Sequence, residues 1–264
     1  MTTYEKLTHY EPESVHDQLP IIWDRASGWW VFDDKGKAYL DFTSGIFVAN
    51  VGHAHPKVQE AIINQTRKML FNYTFASDVR ARLCEKLCEL SGMEQCLLLT
   101  SGSEANDCAG RLMQSYTGWM EIEAFKECYY GNTYLDQLIR QSVSGNPPAG
   151  FFLQCFPGWS AQWYDQHFIE ETFDWAREHH SLIAWDEMQS GFGRTGKMFG
   201  FQHYGVKPDI ITVGKALGGG MPISAVLTSK AIFDSEKDLH TTQTGNPVCC
   251  AAALATLEVI EEEH

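Results

Sequence analysis

The run Ile210-Ile211-Thr212-Val213-Gly214-Lys215-Ala216-Leu217-Gly218-Gly219-Gly220-Met221-Pro222 decides the fold. Its first four residues are apolar or β-branched, the pattern of a short strand buried on both faces. Gly214 and the cluster Gly218 to Gly220 let the backbone turn sharply and approach a neighbour closely. Lys215 therefore stands at the end of a buried strand. Desolvation there lowers an amine's pKa and makes it a better nucleophile for a carbonyl. A solvated lysine in an ordinary turn would read the same from this stretch alone, so the upstream segments must decide.

Two upstream strands end in a similar way. Ser181-Leu182-Ile183-Ala184-Trp185 reads as a buried strand that delivers Asp186-Glu187-Met188-Gln189-Ser190-Gly191. Cys96-Leu97-Leu98-Leu99-Thr100 reads as another, and Ser101-Gly102-Ser103-Glu104-Ala105-Asn106 opens a helix running to about Ser115. Small and hydroxyl residues at a helix N-terminus make an anion site, because free N–H groups and the helix dipole both point at the ligand. A plain N-cap would use the same residues.

The periodicity predicts helices over 56–70, 78–91 and 166–180, and strands over 150–155, 209–213 and 223–228. A weaker unit runs from Phe125 to Tyr130 and on to Gly131-Asn132-Thr133. Strands alternating with helices, each ending in a polar loop, predict an α/β sheet with its site at the C-terminal ends of the strands. Upstream, Trp29 to Phe32 and Ala38 to Phe42 flank Asp33-Asp34-Lys35-Gly36-Lys37, a hairpin signal. Residues 1–20 are polar and carry few structural signals. His53 and His55 have the i, i+2 spacing of metal ligands, but Pro56 follows at once and no carboxylate stands beside them, so no metal is expected.

The 264 residues, 44% hydrophobic and 12% aromatic, suit a packed globular core. A formal net charge of -14 with no Lys/Arg-rich patch argues against nucleic acid and anionic membranes as partners. Eight cysteines form no CxxC pair. With no apolar leader at the N-terminus, they read as reduced thiols in a cytoplasmic protein. No run approaches the ~18 apolar residues of a membrane helix.

A phosphate cradle (Gly102, Ser103), a carboxylate (Asp186) and an amine (Lys215) at three strand ends fit the needs of one cofactor, pyridoxal 5'-phosphate. It requires a phosphate anchor, an acid beside the pyridine nitrogen and a Schiff-base lysine. No one of the three motifs is specific, but the combination is.

In the combination Thr100-Ser-Gly-Ser-Glu-Ala-Asn106, Asp186-Glu-Met-Gln-Ser-Gly-Phe-Gly-Arg-Thr-Gly196, Pro208-Asp-Ile-Ile-Thr-Val-Gly-Lys215 and Thr242-Gln-Thr-Gly-Asn-Pro247, the chain resembles the class III (ornithine/4-aminobutyrate-type) aminotransferases. The resemblance implies an α/β fold: the fold type I large domain, with a mostly parallel mixed sheet flanked by helices, plus a partial small domain. It implies an N-terminal segment 1–45 of the small domain, a cofactor-binding large domain 46–250, and residues 251–264 as the start of a helix leading to a further domain. It implies transfer of an amino group between an amine or amino acid and a 2-oxo acid, in a homodimer with sites at the interface.

By position, the resemblance makes Lys215 the Schiff-base lysine, pairs Asp186 with the pyridine nitrogen and puts Gly102 and Ser103 on the phosphate. Gln189 would reach the phenolic oxygen, Tyr129 would stack on the ring, and Thr242 would reach the phosphate of a neighbouring subunit. Ser44, Gly45, Ile46 and Tyr130 would lie near the substrate.

The chain departs from the family at several places. Tyr130 stands where many members have histidine. Gln154 stands where glutamate is usual, and a neutral amide cannot pair with the arginine that some members place at the substrate pocket. Only 54 residues lie between Gly131 and Asp186, short for the family, with the loss expected near Thr133 to Asp136. The sequence stops at Glu261-Glu262-Glu263-His264, inside a predicted helix. A cofactor-binding or dimerising remnant without turnover, and a relative with another reaction (aminomutase, decarboxylase, racemase, phospho-lyase), stay open beside the transaminase.

Overall fold

A computed structural model describes residues 1–15, 19–125, 128–139 and 147–263. In chain order the elements are α1 (Thr3–Tyr10), β1 (Trp23–Ser27), β2 (Trp30–Asp33), β3 (Ala38–Leu40), α2 (Ser44–Phe47), α3 (Pro56–Thr66), α4 (Asp78–Ser91), β4 (Gln95–Leu99) and α5 (Gly102–Thr117). Then come β5 (Ile122–Ala124), α6 (Tyr134–Ile139), β6 (Gly150–Leu153), α7 (Gln166–Glu178), β7 (Leu182–Asp186), β8 (Ile210–Val213), β9 (Ser224–Thr228), α8 (Lys230–Asp234) and α9 (Pro247–Glu262).

The main sheet has the order β4-β9-β8-β7-β6-β5. Strands β5 to β8 are parallel, and β9 runs antiparallel to both β8 and β4. Since β9 opposes both its neighbours, β4 points the same way as β7 and β8. All three therefore release their following residues at one edge of the sheet, which is what gathers the site. Every residue of β7, β8 and β9 is buried, as the mostly apolar and β-branched runs require of strands covered on both faces.

One helical layer is made by α5, which packs on β7, β8 and β9, and the other side carries α4, α7 and α9. Thirteen of the sixteen residues of α9 are buried, against α3, α4 and the turn after β8. A smaller antiparallel sheet, β1-β2-β3, carries the expected hairpin.

Several boundaries differ from expectation. The polar N-terminus forms α1, closed by a capping box in which Thr2 and Glu5 bond each other's backbone. The helix begun at Pro56 ends at Thr66, short of residue 70. The strand expected over Phe125 to Tyr130 lies earlier, at Ile122–Ala124. Lys126 and Glu127 lie outside the described residues, and residues 128–131 are loop. Thr133 to Asp136, where shortening was expected, leads into α6, and His264 lies outside the described residues.

Candidate active site

Asp186 ends β7 with 2% of its surface exposed. Its Oδ1 accepts the Met188 backbone N–H at 2.7 Å. Its Oδ2 accepts from Asn106 Nδ2 at 3.0 Å and from Gln154 Nε2 at 2.9 Å. Burial pushes the Asp186 carboxyl above its ordinary range, while the Met188 N–H, the Lys215 charge and the two amides pull the other way. A carboxylate held by three donors is fixed in place and in orientation.

The two amides are fixed in turn. Asn106 Nδ2 also donates to the Tyr130 carbonyl at 3.0 Å, and Gln154 Nε2 to the Tyr129 carbonyl at 2.8 Å. Both nitrogens face two acceptors, so the network itself fixes which way each amide points. The oxygens Asn106 Oδ1 and Gln154 Oε1, together with Gln189 Oε1, are then left buried without a hydrogen-bond partner. Buried polar atoms are normally satisfied. Two of these orphaned acceptors belong to the amides that hold Asp186, so polar atoms with unused bonding capacity lie at the carboxylate.

Lys215 follows β8 with φ +40°, a left-handed conformation uncommon for a residue with a side chain. Burial lowers its amine pKa and the Asp186 charge opposes that shift. No ion pair joins the two among the described residues, so Lys215 is within the field of Asp186 and not spent on it. The preceding Gly214 packs closely on Met188: a Cβ there would stand 2.6 Å from Met188 Sδ, so that side chain would have to shift. A Cβ on Gly102 would meet the same sulfur at 2.9 Å. Met188 is thus wedged between the lysine turn and the first residue of α5.

At the start of α5, Ser101 Oγ accepts the Glu104 N–H, and Glu104 Oε2 accepts the N–H groups of Thr100 and Ser101. This capping box leaves Gly102 and Ser103 with the free donors of the first turn. Gly131, at φ +109°, presses its backbone onto Ser103, whose Cα would stand 3.0 Å from an added Cβ. Ser224 Oγ ties the strand end by donating to the Ser101 carbonyl at 2.7 Å.

A second buried carboxylate, Glu187, organises the loop after β7. Its Oε2 accepts Ser190 Oγ at 2.5 Å and the Gly200 N–H at 2.9 Å, and its Oε1 accepts the Phe201 N–H at 2.9 Å. Burial raises its pKa to about 7 against the pull of those three donors, with the Asp186 charge pushing the same way as burial. Further along that loop Arg194 donates to Ser44 Oγ at 2.9 Å and to Asn50 Oδ1.

The structure therefore gathers Asp186, Lys215, Gly102 and Ser103 at one sheet edge, with Gln189 in the loop leaving Asp186. Tyr129 is half-exposed, its ring 6.5 Å from Trp159 in an edge arrangement. Tyr130, expected near the substrate, is instead turned into the core, with 3% exposed and its hydroxyl donating to the Phe152 carbonyl at 3.0 Å. Ser44, Gly45 and Ile46 form a turn with positive φ throughout. They connect to the loop after β7 through Arg194 and not to the carboxylate itself. Thr242 is exposed in a turn, and no hydrogen bond or ion pair among the described residues joins it to the cluster.

Sequence reasoning gave no role to Asn106 and read Gln154 only as a lost ion-pair partner; the first stood inside the quoted motif. The residues fit pyridoxal phosphate: a buried acid, a partly buried amine, free N–H donors at a helix start and orphaned amide oxygens on the side chains that hold the acid.

The family model for "Aminotransferase class-III" matches residues 12–145 and 160–264. An acetylornithine aminotransferase of Methanocaldococcus jannaschii is 34% identical over 98% of this chain and 73% of its own length. A leucine/methionine racemase of Thermococcus litoralis is 35% identical over 92% of this chain and 68% of its own. Among solved structures, an acetylornithine aminotransferase of Elizabethkingia anophelis superposes with a TM-score of 0.82 at 30% identity, covering 100% of this chain and 74% of that one.

Proposed function

Because this chain belongs to the class-III aminotransferase family, whose enzymes depend on pyridoxal phosphate, we propose that its strand-end cluster moves an amino group between an amine or amino acid and a 2-oxo acid. The observation that carries the reading is the buried Asp186 carboxylate, held by Met188, Asn106 and Gln154 beside an amine that burial has made less basic. When bound, the cofactor supplies an aldehyde that captures amines and a pyridine ring that accepts electrons from the neighbouring carbon.

The residues divide the remaining work. Asp186 would pair with the ring nitrogen and keep a proton on it. Lys215 Nζ, uncharged more readily than a free lysine, serves as the nucleophile and then carries the proton at the substrate carbon. The N–H groups of Gly102 and Ser103 bind the phosphate with the α5 dipole behind them. Gln189 would reach the phenolic oxygen and Tyr129 would stack on the ring. Ser44, Gly45 and Ile46 border the substrate.

Thr242 belongs on this reading to the site of a second copy. The large exposed apolar side chains Phe42, Phe75 and Trp159, at 91, 77 and 79% exposure, suit burial in a homodimer. The division at residues 45 and 250 is part of the same proposal. So is a cytoplasmic setting, which suits eight free thiols. No helix of the described residues is long and apolar enough to cross a membrane.

Addition of pyridoxal phosphate is expected to give an absorbance band that borohydride makes permanent and that Lys215→Ala lacks. A band of equal strength in the variant overturns the assignment. The 35% identity to a racemase favours one second reading, inversion at the same carbon. Analysis of products separates the two: a new 2-oxo acid marks transfer, and a mirror-image amino acid marks inversion.

A further inference from the structure

The four residues of α2 wind the opposite way from an ordinary α-helix. Ser44, Gly45, Ile46 and Phe47 have φ of +54, +58, +59 and +66°. Even so, the Phe47 N–H reaches the Thr43 carbonyl at 3.0 Å and the Val48 N–H the Ser44 carbonyl at 2.8 Å. Helical hydrogen bonds at positive φ make this one turn of left-handed helix. L-residues visit that conformation singly and not in series, and a β-branched residue such as Ile46 is an outlier there. Such backbone persists only where its surroundings over-determine it, and it gathers at functional sites.

Asp41 supplies the constraint. Its Oδ1 accepts the Thr43 N–H at 2.8 Å and the Thr43 hydroxyl at 2.7 Å. Its Oδ2 accepts the Gly45 N–H and the His53 Nε2–H, both at 2.7 Å. Burial works to raise the Asp41 carboxyl, but these bonds, that from His53 foremost, hold it well below its ordinary range. His53 is anchored in turn: its N–H donates to the Gly28 carbonyl at 2.7 Å, and its carbonyl accepts the Gly28 N–H at 2.9 Å, in the turn between β1 and β2. From the other side Arg194 donates to Ser44 Oγ at 2.9 Å. No carboxylate stands next to His53 in the sequence; the fold brings one from 12 positions away.

We propose that Asp41 and His53 are positioning residues. Anchored on the small sheet, the pair holds the left-handed turn so that Ser44 and Ile46 present one fixed edge to the amino substrate. This rests on the reading above in which Ser44, Gly45 and Ile46 border the substrate. No hydrogen bond or ion pair among the described residues joins Asp41 or His53 to Asp186, Lys215, Gly102 or Ser103. The pair therefore acts on the substrate through the turn, and binding of pyridoxal phosphate does not depend on it.

Thermal unfolding of the chain tests the handedness. A Cβ on Gly45 would stand 3.4 Å from His53 Cε1 and 4.0 Å from Val48 Cβ, ordinary contacts, and Ile46 is 61% exposed. Neither crowding nor lost burial then sets the sign of a substitution; the backbone does. Gly45→Ala should lower the midpoint temperature, and Ile46→Gly should not. A right-handed turn gives the opposite pair, and either sign reversed overturns the proposal.

The chain loaded with pyridoxal phosphate tests the positioning, through the rate at which aminooxyacetate, a small amine bearing a carboxylate, consumes the Lys215-dependent absorbance band. His53→Ala should raise the half-saturating aminooxyacetate concentration roughly ten-fold or more, the scale of a slightly misplaced contact. The band and the pyridoxal phosphate titration should stay as in the parent. His53→Gln, which keeps a donor where Nε2 stood, should restore most of the loss. A normal band with unmoved half-saturation, a loss that glutamine does not restore, or a cofactor titration weakened in parallel overturns this role alone. A parent chain with no Lys215-dependent band overturns the proposed function, and this role with it.

Discussion

Gln154→Glu, which installs the residue usual in the family, should destabilise this chain strongly and in a pH-dependent way. Gln154 Nε2 donates at 2.9 Å to Asp186 Oδ2 and at 2.8 Å to the Tyr129 carbonyl. A glutamate would set an acceptor against two acceptors. With both carboxylates ionised about 3 Å apart, an effective dielectric constant of about 20 gives a repulsion of roughly 5–6 kcal/mol. Protonating a carboxyl with an ordinary pKa of about 4.3 at pH 7.5 costs about 4 kcal/mol, the smaller figure, so one proton is taken up.

The neutral acid restores one of the two hydrogen bonds and forfeits the other, about 1 kcal/mol more. The raised carboxyl pKa is a feature of the folded state. Its favourable side is fully present below pH 4.3 and is lost as the pH rises. The variant should therefore lose about 5 kcal/mol at pH 7.5 and only about 2–3 kcal/mol at pH 5.5. Urea unfolding at both pH values, with the slope m compared to the parent, measures this. An equal loss at the two pH values, or none, would refute the placement of Gln154 against Asp186.

Two further outcomes follow from the geometry. Gly131→Ala, at φ +109° with Ser103 Cα 3.0 Å from the new Cβ, should cost roughly 2–4 kcal/mol and weaken pyridoxal phosphate binding; unchanged melting and unchanged titration would contradict the cradle. For Glu187, burial in the folded chain raises the pKa from an ordinary value of 4.5 to about 7. Its contribution is full below about pH 4.5 and is lost as the pH rises through 7. Glu187→Gln removes that titration, so parent-minus-variant stability should fall by about 2.5 kcal/mol between pH 5 and 8, and a flat difference would show that Glu187 stays ionised throughout.

The central sheet was legible because β7, β8 and β9 are short runs of mostly apolar or β-branched residues, and Asp186 and Lys215 stood out because the first ends such a run and the second follows one after a single intervening glycine. The supports of Asp186 were not. Asn106 and Gln154 reach it from 80 and 32 positions away, and no local pattern encodes a contact of that span. Tyr130 was misplaced for a related reason. An aromatic beside a loop glycine can face a ligand or the core, and only the Phe152 carbonyl, which takes its hydroxyl, settles which. The helix α1 was missed because it buries nothing, so it shows no apolar stripe. Its signal was the Thr2–Glu5 capping pair. The edge strand β5, three residues long, is too short to display a period at all.

The antiparallel pairing of β4 sets the order in which the molecule can form. Among the described residues its one neighbour in the sheet is β9, paired from Gln95–Thr228 to Leu99–Ser224. The turn carrying Gly102 and Ser103 has nothing in the sheet to hold it until a strand made much later in synthesis arrives. Closing so long a loop is slow. On a ribosome the phosphate cradle is therefore written early and positioned late, in the same event that docks β9 against β8 and sets Lys215 beside it.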